Sequence, residues 1–250
     1  MVLQAEEGRG LTTPASRVLV ATAVPAERDA VARAFPEPPA EVPLPGAVLH
    51  RLPDGGPDLL AAGVGPARAA ASVSAALTAA ALGGTPYTLV VSAGIAGGFL
   101  PAAPVGSLVV ADAITVADLG AQTADGFLPV TELGFGTVTH RPPEDLVRQC
   151  AAATGAATGA VLTVSTVTGT AARAEALRER HPGVLAEAME GFGVAEAAAA
   201  LHGTPVLEIR AVSNPVGPRD RAAWRIGDAL AALTTAFGKL APVLMSWKPA

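Results

Sequence analysis

Short apolar runs with no polar alternation occur at Val18 to Ala23 and Tyr87 to Ser92, and Val184 to Ala188 and Val206 to Val212 also read as strands. A run of this kind is how a strand buried on both faces reads. Between these runs the apolar positions change to helical spacing. Ala30, Val31, Ala34 and Phe35 share one face of a helix that Pro36-Glu37-Pro38-Pro39 must stop. Pro66 to Leu82 predicts an alanine-rich helix ending at Gly83-Gly84. Further helices are expected at Glu144 to Ala153, Ala171 to Arg180, Gly191 to Leu201 and Arg221 to Met245. Val48 to Leu52 and Asp58 to Ala62 read as strands joined by the turn Pro53-Asp54-Gly55-Gly56, with two more strands at Val105 to Ala117 and Val161 to Ser165. Residues 118–143, rich in Gly, Thr and Pro, are expected to form a long loop near a site. Strands alternating with helices predict an α/β fold, three-layer α/β/α, around a central mixed β-sheet. No internal repeat or break in composition divides it. Residues 17–250 therefore read as one domain behind a flexible, polar tail at 1–16.

Composition narrows the function more than the fold. Half of the 250 residues are hydrophobic and 16% are charged, which supplies a large core and excludes a disordered chain. A net charge of −5 does not suit a protein that grips phosphate backbones, so nucleic acid is not an expected partner. Cys150 is the only cysteine, which excludes an intrachain disulfide, and no Cys/His group has zinc spacing. The first 17 residues carry Glu6, Glu7 and Arg9 without an apolar core, unlike a signal peptide. The weakly polar run Ala69 to Leu82 is too short to span a bilayer. A cytoplasmic protein without membrane partners is the expectation.

The motifs that could carry chemistry each have a bland reading too. Gly63-Val64-Gly65-Pro66-Ala67-Arg68 lacks the third glycine of a dinucleotide fingerprint and suits a tight strand-to-helix turn better. Ala93-Gly94-Ile95-Ala96-Gly97-Gly98 reads equally as a plain loop or as backbone left bare for a bulky ligand. Glu190 opens a helix, where a carboxylate is favoured by ~0.3–1 kcal/mol. Its neighbours are apolar, however, and sugar hydroxyls would be natural partners. Arg210 lies inside the apolar strand of Glu208-Ile209-Arg210-Ala211-Val212-Ser213-Asn214 and cannot shed its charge. It needs a buried anion, for which Glu27 is the candidate; Ser213 and Asn214 favour a functional site over a purely structural ion pair. His50, His140, His181 and His202 have neither metal nor triad spacing and read as surface or turn residues.

Four segments give these residues a common context: Val18 to Glu27, Ala61-Ala62-Gly63-Val64-Gly65, Val90 to Gly98, and Ala188-Met189-Glu190 through Asn214. Over about residues 18–240 the chain resembles the nucleoside phosphorylase and nucleosidase superfamily, and most closely its methylthioadenosine/adenosylhomocysteine nucleosidase branch. Within that branch the stretches Val164 to Thr170 and Ser213 to Arg221 look like the futalosine hydrolases. The resemblance implies a purine nucleoside hydrolase with no metal and no cofactor, assembled as a homo-oligomer, a dimer or higher. It gives Glu27 the task of orienting and deprotonating water, with Arg210 beside that water, Met189 under the ribose and Glu190 on the ribose hydroxyls. Gly97, Thr168 and Gly169 join the substrate-binding set. Gly169 stands where the nucleosidases stack a phenylalanine on the base, and Phe192 is the candidate replacement.

Asn214 falls where the nucleosidases carry the aspartate that protonates the purine at N7. An asparagine amide donates to N7 and to a 6-oxo group, so hypoxanthine is expected over adenine and futalosine over methylthioadenosine. The products would be hypoxanthine and dehypoxanthinyl futalosine, in menaquinone synthesis. Superfamily phosphorylases hold phosphate with an arginine just before the glycine cluster. Ser92 at that place favours hydrolysis and leaves Arg28 and Arg68 as the candidates for an anion site. Ile95 replaces a serine that contacts the water, and Ala188 an acid before the methionine; both count against the methylthioadenosine reading. Arg219 and Arg221 are candidates to pair with the carboxylate of futalosine's side arm. The alternatives left open are a methylthioadenosine/adenosylhomocysteine nucleosidase, a purine nucleoside phosphorylase, and a non-catalytic nucleoside-binding protein, which would be expected to lose Glu27 or Arg210.

Overall fold

Every residue of β1 (Val18–Thr22) is buried, as its unalternated apolar run requires. In the computed structural model, which describes residues 16–249, α1 (Pro25–Ala32) follows, then β2 (Ala40–Leu44), β3 (Ala47–Arg51), β4 (Asp58–Ala61) and α2 (Pro66–Leu82). The middle of the chain forms β5 (Leu89–Gly98), β6 (Leu108–Val116), β7 (Gly120–Thr123), β8 (Gly126–Pro129) and β9 (Thr139–His140). The remainder is α3 (Glu144–Thr154), β10 (Ala157–Thr163), α4 (Ala171–Arg180), β11 (Val184–Ala188), α5 (Gly191–Ala195), β12 (Val206–Pro215) and α6 (Ile226–Ser246). A π-helical turn, Glu196–Leu201, continues α5, and a single 3-10 turn, Arg221–Ala223, precedes α6. The tail expected at 1–16 lies outside the described residues except for Ser16, whose hydroxyl donates to the Trp247 carbonyl at 2.7 Å.

The main sheet runs β11-β10-β6-β12-β5-β1-β4-β3-β2, with β9 alongside β6. β1 pairs in parallel with β4 and β5, and β12 with β5, whereas β6 is antiparallel to β12, so the sheet is mixed as expected. β11 pairs with β10 and also with the end of β5, which curls β5, β12, β6, β10 and β11 into a closed ring. Helices α1, α3 and α6 cover one face through Val31, Leu146, Cys150, Leu233 and Phe237. α2 and α5 cover the other through Val73, Leu77, Phe192 and Val194. This is the three-layer α/β/α arrangement. By length and composition α6 is the one helix among the described residues that could cross a bilayer; here Ala229, Leu233, Ala236, Phe237, Leu240 and Leu244 are buried on the sheet.

Several elements differ from expectation. β2, an edge strand that tolerates Pro43, was hidden by its proline and its exposed alternate positions. The glycine cluster is neither loop nor break, because β5 runs through it to Gly98 between two partner strands. The stretch 118–143 contains the β7–β8 hairpin and β9 rather than one open loop. The last helix starts at Ile226, not Arg221: Asp220 Oδ1 accepts from the Ala222 N–H, closing a separate short turn before extended backbone at Trp224.

Candidate active site

The carboxyl ends of the parallel strands converge, as ligand sites of open α/β sheets do. β1 leads into α1, where Glu27 is buried in the first turn. Its Oε2 accepts from the Ala23 N–H (2.9 Å) and the Val24 N–H (3.3 Å), and its Oε1 from the Ile95 N–H (2.8 Å). Val24 cannot reciprocate, so this is half a capping box that ties the helix start to β5. Gly94 separates Glu27 from Arg210. A Cβ at Gly94 would sit 2.6 Å from Glu27 Oε1 and 2.8 Å from Arg210 Nη1. The glycine is there because two charged side chains meet over it.

Arg210 is 1% exposed on β12. Its Nε donates to Glu208 Oε1 at 2.8 Å, its Nη2 to Ser92 Oγ at 3.1 Å, and its Nη1 lies 3.6 Å from Glu190 Oε2. The anion paired with Arg210 is thus Glu208, with Glu190 next; Glu27, the expected partner, acts through space instead. Glu208 and Arg210 are two residues apart on a strand and so share a face. The face is crowded: a Cβ at Gly191 would come within 2.3 Å of both Glu208 carboxylate oxygens, so only glycine at the start of α5 admits that side chain.

Glu190 stands at the N-terminus of α5 but makes no side-chain cap there. Its Oε1 accepts instead from the Gly65 N–H at 3.2 Å. Gly63 (φ +99°) and Gly65 (φ +87°) hold left-handed backbone, and the Gly63-Val64-Gly65 turn serves to present that N–H to Glu190. Burial drives the Glu27 pKa above the usual carboxylate value of 4.5, and the nearby Glu190 adds to this; Arg210 and the Ile95 N–H oppose it. Burial likewise raises Glu208, and Arg210 opposes. For Arg210 burial works against the charge, but Glu208, Glu190 and Glu27 outweigh it and hold its pKa above the ordinary value.

Three residues further along β5, roughly 10 Å, a cavity of about 90 Å³ is lined by Gly97, Thr168, Glu187, Asn214, Arg219 and Trp224, among others. Ser213 is the extra residue of a bulge that turns Asn214 into register with Gly97. The Ser213 hydroxyl donates to Asn214 Oδ1 (3.0 Å), and Asn214 Nδ2 donates to the Pro215 carbonyl (3.0 Å). One Nδ2 proton remains for a ligand, so double donation to N7 and O6 requires breaking the bond to Pro215. A larger cavity of about 680 Å³ lies between the β7–β8 hairpin and β10, lined by Asp112, Thr115, Phe127, Arg141 and His181 among others; none of the converging residues reaches it.

Glu27, Arg210, Glu190, Gly97, Thr168 and Asn214 are thereby brought to two adjoining places, and half-buried Met189 lies between β11 and Glu190. Other expectations are corrected. Phe192 is 6% exposed, its ring packed in the core and 5.3 Å from His140, so it does not stack over the cavity. Gly169 faces Arg219, whose Cδ would lie 3.7 Å from a Cβ there. Arg221 is exposed in the 3-10 turn and does not line the cavity, whereas Arg219 does. Arg28 is paired with Asp29, and Arg68 donates to the Gly46 carbonyl. His140 is no surface residue but a strand residue bonded to Glu196 at 2.7 Å. Glu187, Glu208 and Trp224 were missed. For the two acids the signal was available, an ionisable residue inside an apolar strand, the same that singled out Arg210.

A buried carboxylate–guanidinium cluster at the strand ends of such a sheet, with a small cavity nearby, fits a nucleosidase or nucleoside phosphorylase. Residues 17–244 match the family model described as the phosphorylase superfamily, to which the chain belongs. The chain is 82% identical over 232 residues to the futalosine hydrolase of Streptomyces coelicolor, covering 93% of this chain and 98% of that protein. It is 45% identical to the futalosine hydrolase of Acidothermus cellulolyticus, covering 89% of each. Within the superfamily it is a member of the futalosine hydrolases. A 5′-methylthioadenosine/S-adenosylhomocysteine nucleosidase from Colwellia psychrerythraea, crystallised with adenine, shares the fold with a TM-score of 0.76 at 20% identity, covering 93% of this chain and 95% of that one.

Proposed function

We infer that the protein hydrolyses the N-glycosidic bond of futalosine, releasing hypoxanthine and dehypoxanthinyl futalosine in menaquinone synthesis. The observation that carries this reading is the 82% identity over nearly the whole of a futalosine hydrolase. In the reaction, a water oxygen bonds to the anomeric carbon while the bond to the purine nitrogen breaks. Glu27 takes the water's proton, a task its raised pKa suits. Positive charge spreads over the ribosyl ring, and Glu190 strengthens its bonds to the ribose hydroxyls as that charge grows. The electron pair leaves with the base. Asn214 cannot give up a proton, but its Nδ2 donates to N7 and stabilises the negative charge building there; solvent then protonates the base. Arg210, braced by Glu208 and Ser92, is assigned the place beside that water.

Phosphorolysis is disfavoured because Ser92 is bonded to Arg210 and Arg28 and Arg68 are engaged elsewhere. Arg219, at the cavity rim with its guanidinium 5.4 Å from the Trp224 ring, is the proposed contact for the carboxylate of the side arm. A cytoplasmic homo-oligomer completes the proposal; Phe135, 69% exposed, and Leu133 beside it offer an apolar surface for a second copy. The test is purine release from futalosine, inosine and methylthioadenosine, each with and without phosphate. Rapid hypoxanthine release from futalosine, independent of phosphate, is expected. Adenine release from methylthioadenosine as the faster reaction, or a phosphate requirement, would overturn the reading.

A further inference from the structure

Glu187 is an ionisable residue in an apolar strand and has no part in the chemistry above. It is 6% exposed. On β11 it lies directly opposite Gly97 of β5, and on the other side of β5 Asn214 of β12 lies opposite the same Gly97. Residues directly opposite one another share a face of the sheet. Glu187, Gly97 and Asn214 thus form one row across three strands. The outer two strands are separated by two inter-strand spacings, roughly 9–10 Å, and the middle position carries no side chain. All three residues line the cavity beside the ribose-holding cluster.

The carboxylate is already held from one side. Glu187 Oε1 accepts from the Thr168 N–H at 2.8 Å, and Oε2 accepts from the Thr168 hydroxyl. An ionised carboxylate has about four acceptor positions, so two remain. Burial raises the Glu187 pKa above the usual carboxylate value and the Asp118 charge adds to this, while both Thr168 donors and the Arg173 charge oppose it. The row therefore offers a donor, Asn214 Nδ2, on one side of the gap and an acceptor on the other. A 6-oxopurine presents acceptors at N7 and O6 and a donor at N1–H. Adenine presents an acceptor at N1, which would face the carboxylate lone pairs.

We propose that Glu187 is a specificity-determining residue that accepts the N1–H of the 6-oxopurine while Asn214 donates on the N7/O6 side, so that the base is read from both sides of Gly97. The proposal rests on the futalosine reading. Selection against adenine is then a repulsion at N1 as much as an attraction, which is how buried polar sites reach large discrimination. Thr168 is the positioning residue that fixes the carboxylate.

The experiment compares kcat/KM for futalosine and its 6-amino analogue in the wild type and in Glu187→Gln. In the variant Thr168 retains the amide oxygen, leaving an NH2 facing the gap, a donor that suits an adenine-type N1. The preference for the 6-oxo substrate is expected to fall at least tenfold, with the melting temperature showing that the variant is folded. Equal losses on both substrates would reduce Glu187 to a structural tie for Thr168 and overturn the proposal. A wild-type measurement stands apart from folding: hypoxanthine should inhibit at least tenfold more tightly than 1-methylhypoxanthine, and equal inhibition would also overturn it. Should the wild type release no hypoxanthine from futalosine, the functional reading itself fails; hydrolysis with an unchanged preference in the variant sinks only the role of Glu187.

Discussion

Asn214 and Asp differ by one amide, yet the difference sets which hydrogen bonds the base can receive. An aspartate there, when protonated, can donate to N7 and accept from a 6-amino group, so Asn214→Asp should shift kcat/KM toward adenine nucleosides by about tenfold or more; an unchanged ratio in a two-substrate assay would refute the assignment. Glu27→Gln keeps the shape but not the basicity, and should lower kcat by ~10²–10⁴ with little change in KM. The same residue sets the acid side of the pH profile. The base must be deprotonated, so activity falls as pH drops through its pKa, and because burial raises that pKa the inflection in kcat/KM should lie above 4.5. Arg219→Ala should raise KM for futalosine but leave inosine, which lacks the side arm, unaffected; equal effects on both would remove Arg219 from the side-arm contact.

The glycines of β5 show how an element can be shaped by what crosses it. Gly94→Ala brings a methyl within 2.6 Å of Glu27 Oε1 and 2.8 Å of Arg210 Nη1, both fixed by several bonds. The variant should therefore lose activity at least a hundredfold, about 2.7 kcal/mol of transition-state stabilisation, while thermal unfolding shows a folded protein. Wild-type turnover would mean that the two charges can part freely. Much of the sheet was legible in the sequence. A run such as Val18 to Ala23 has few alternatives to a buried strand, and Arg210 could not lie in one without a buried anion. What stayed hidden depended on spatial neighbours. Nothing local to Gly94 distinguishes a bare loop from a strand flanked by β1 and β12, since both readings need only small residues. Phe192 had the right chemistry for stacking and the wrong direction, and Trp224 was hidden inside an expected helix that Asp220 in fact delays.

At the scale of the whole molecule, the closing of β5 onto β11 brings Glu187 and Glu190 to the same end of the sheet as Glu27 and Arg210, although they lie some 160 residues from Glu27 in the chain. On the proposed roles, base recognition and sugar chemistry share one frame, and loosening β11 should disturb both together. Around Arg210 the carboxyl groups of Glu27, Glu190 and Glu208 outnumber the single guanidinium three to one. Such an arrangement suits a cation better than an anion. A tight inhibitor of this site would accordingly be a ribose mimic with a protonated nitrogen in its ring, which should bind at least a hundredfold more tightly than its neutral oxygen counterpart. Inhibition constants measured across pH check this: the advantage should shrink as pH falls and Glu27 takes up its proton. A ring with fixed positive charge and no advantage at neutral pH would mean that the cluster is electrically balanced before the sugar arrives.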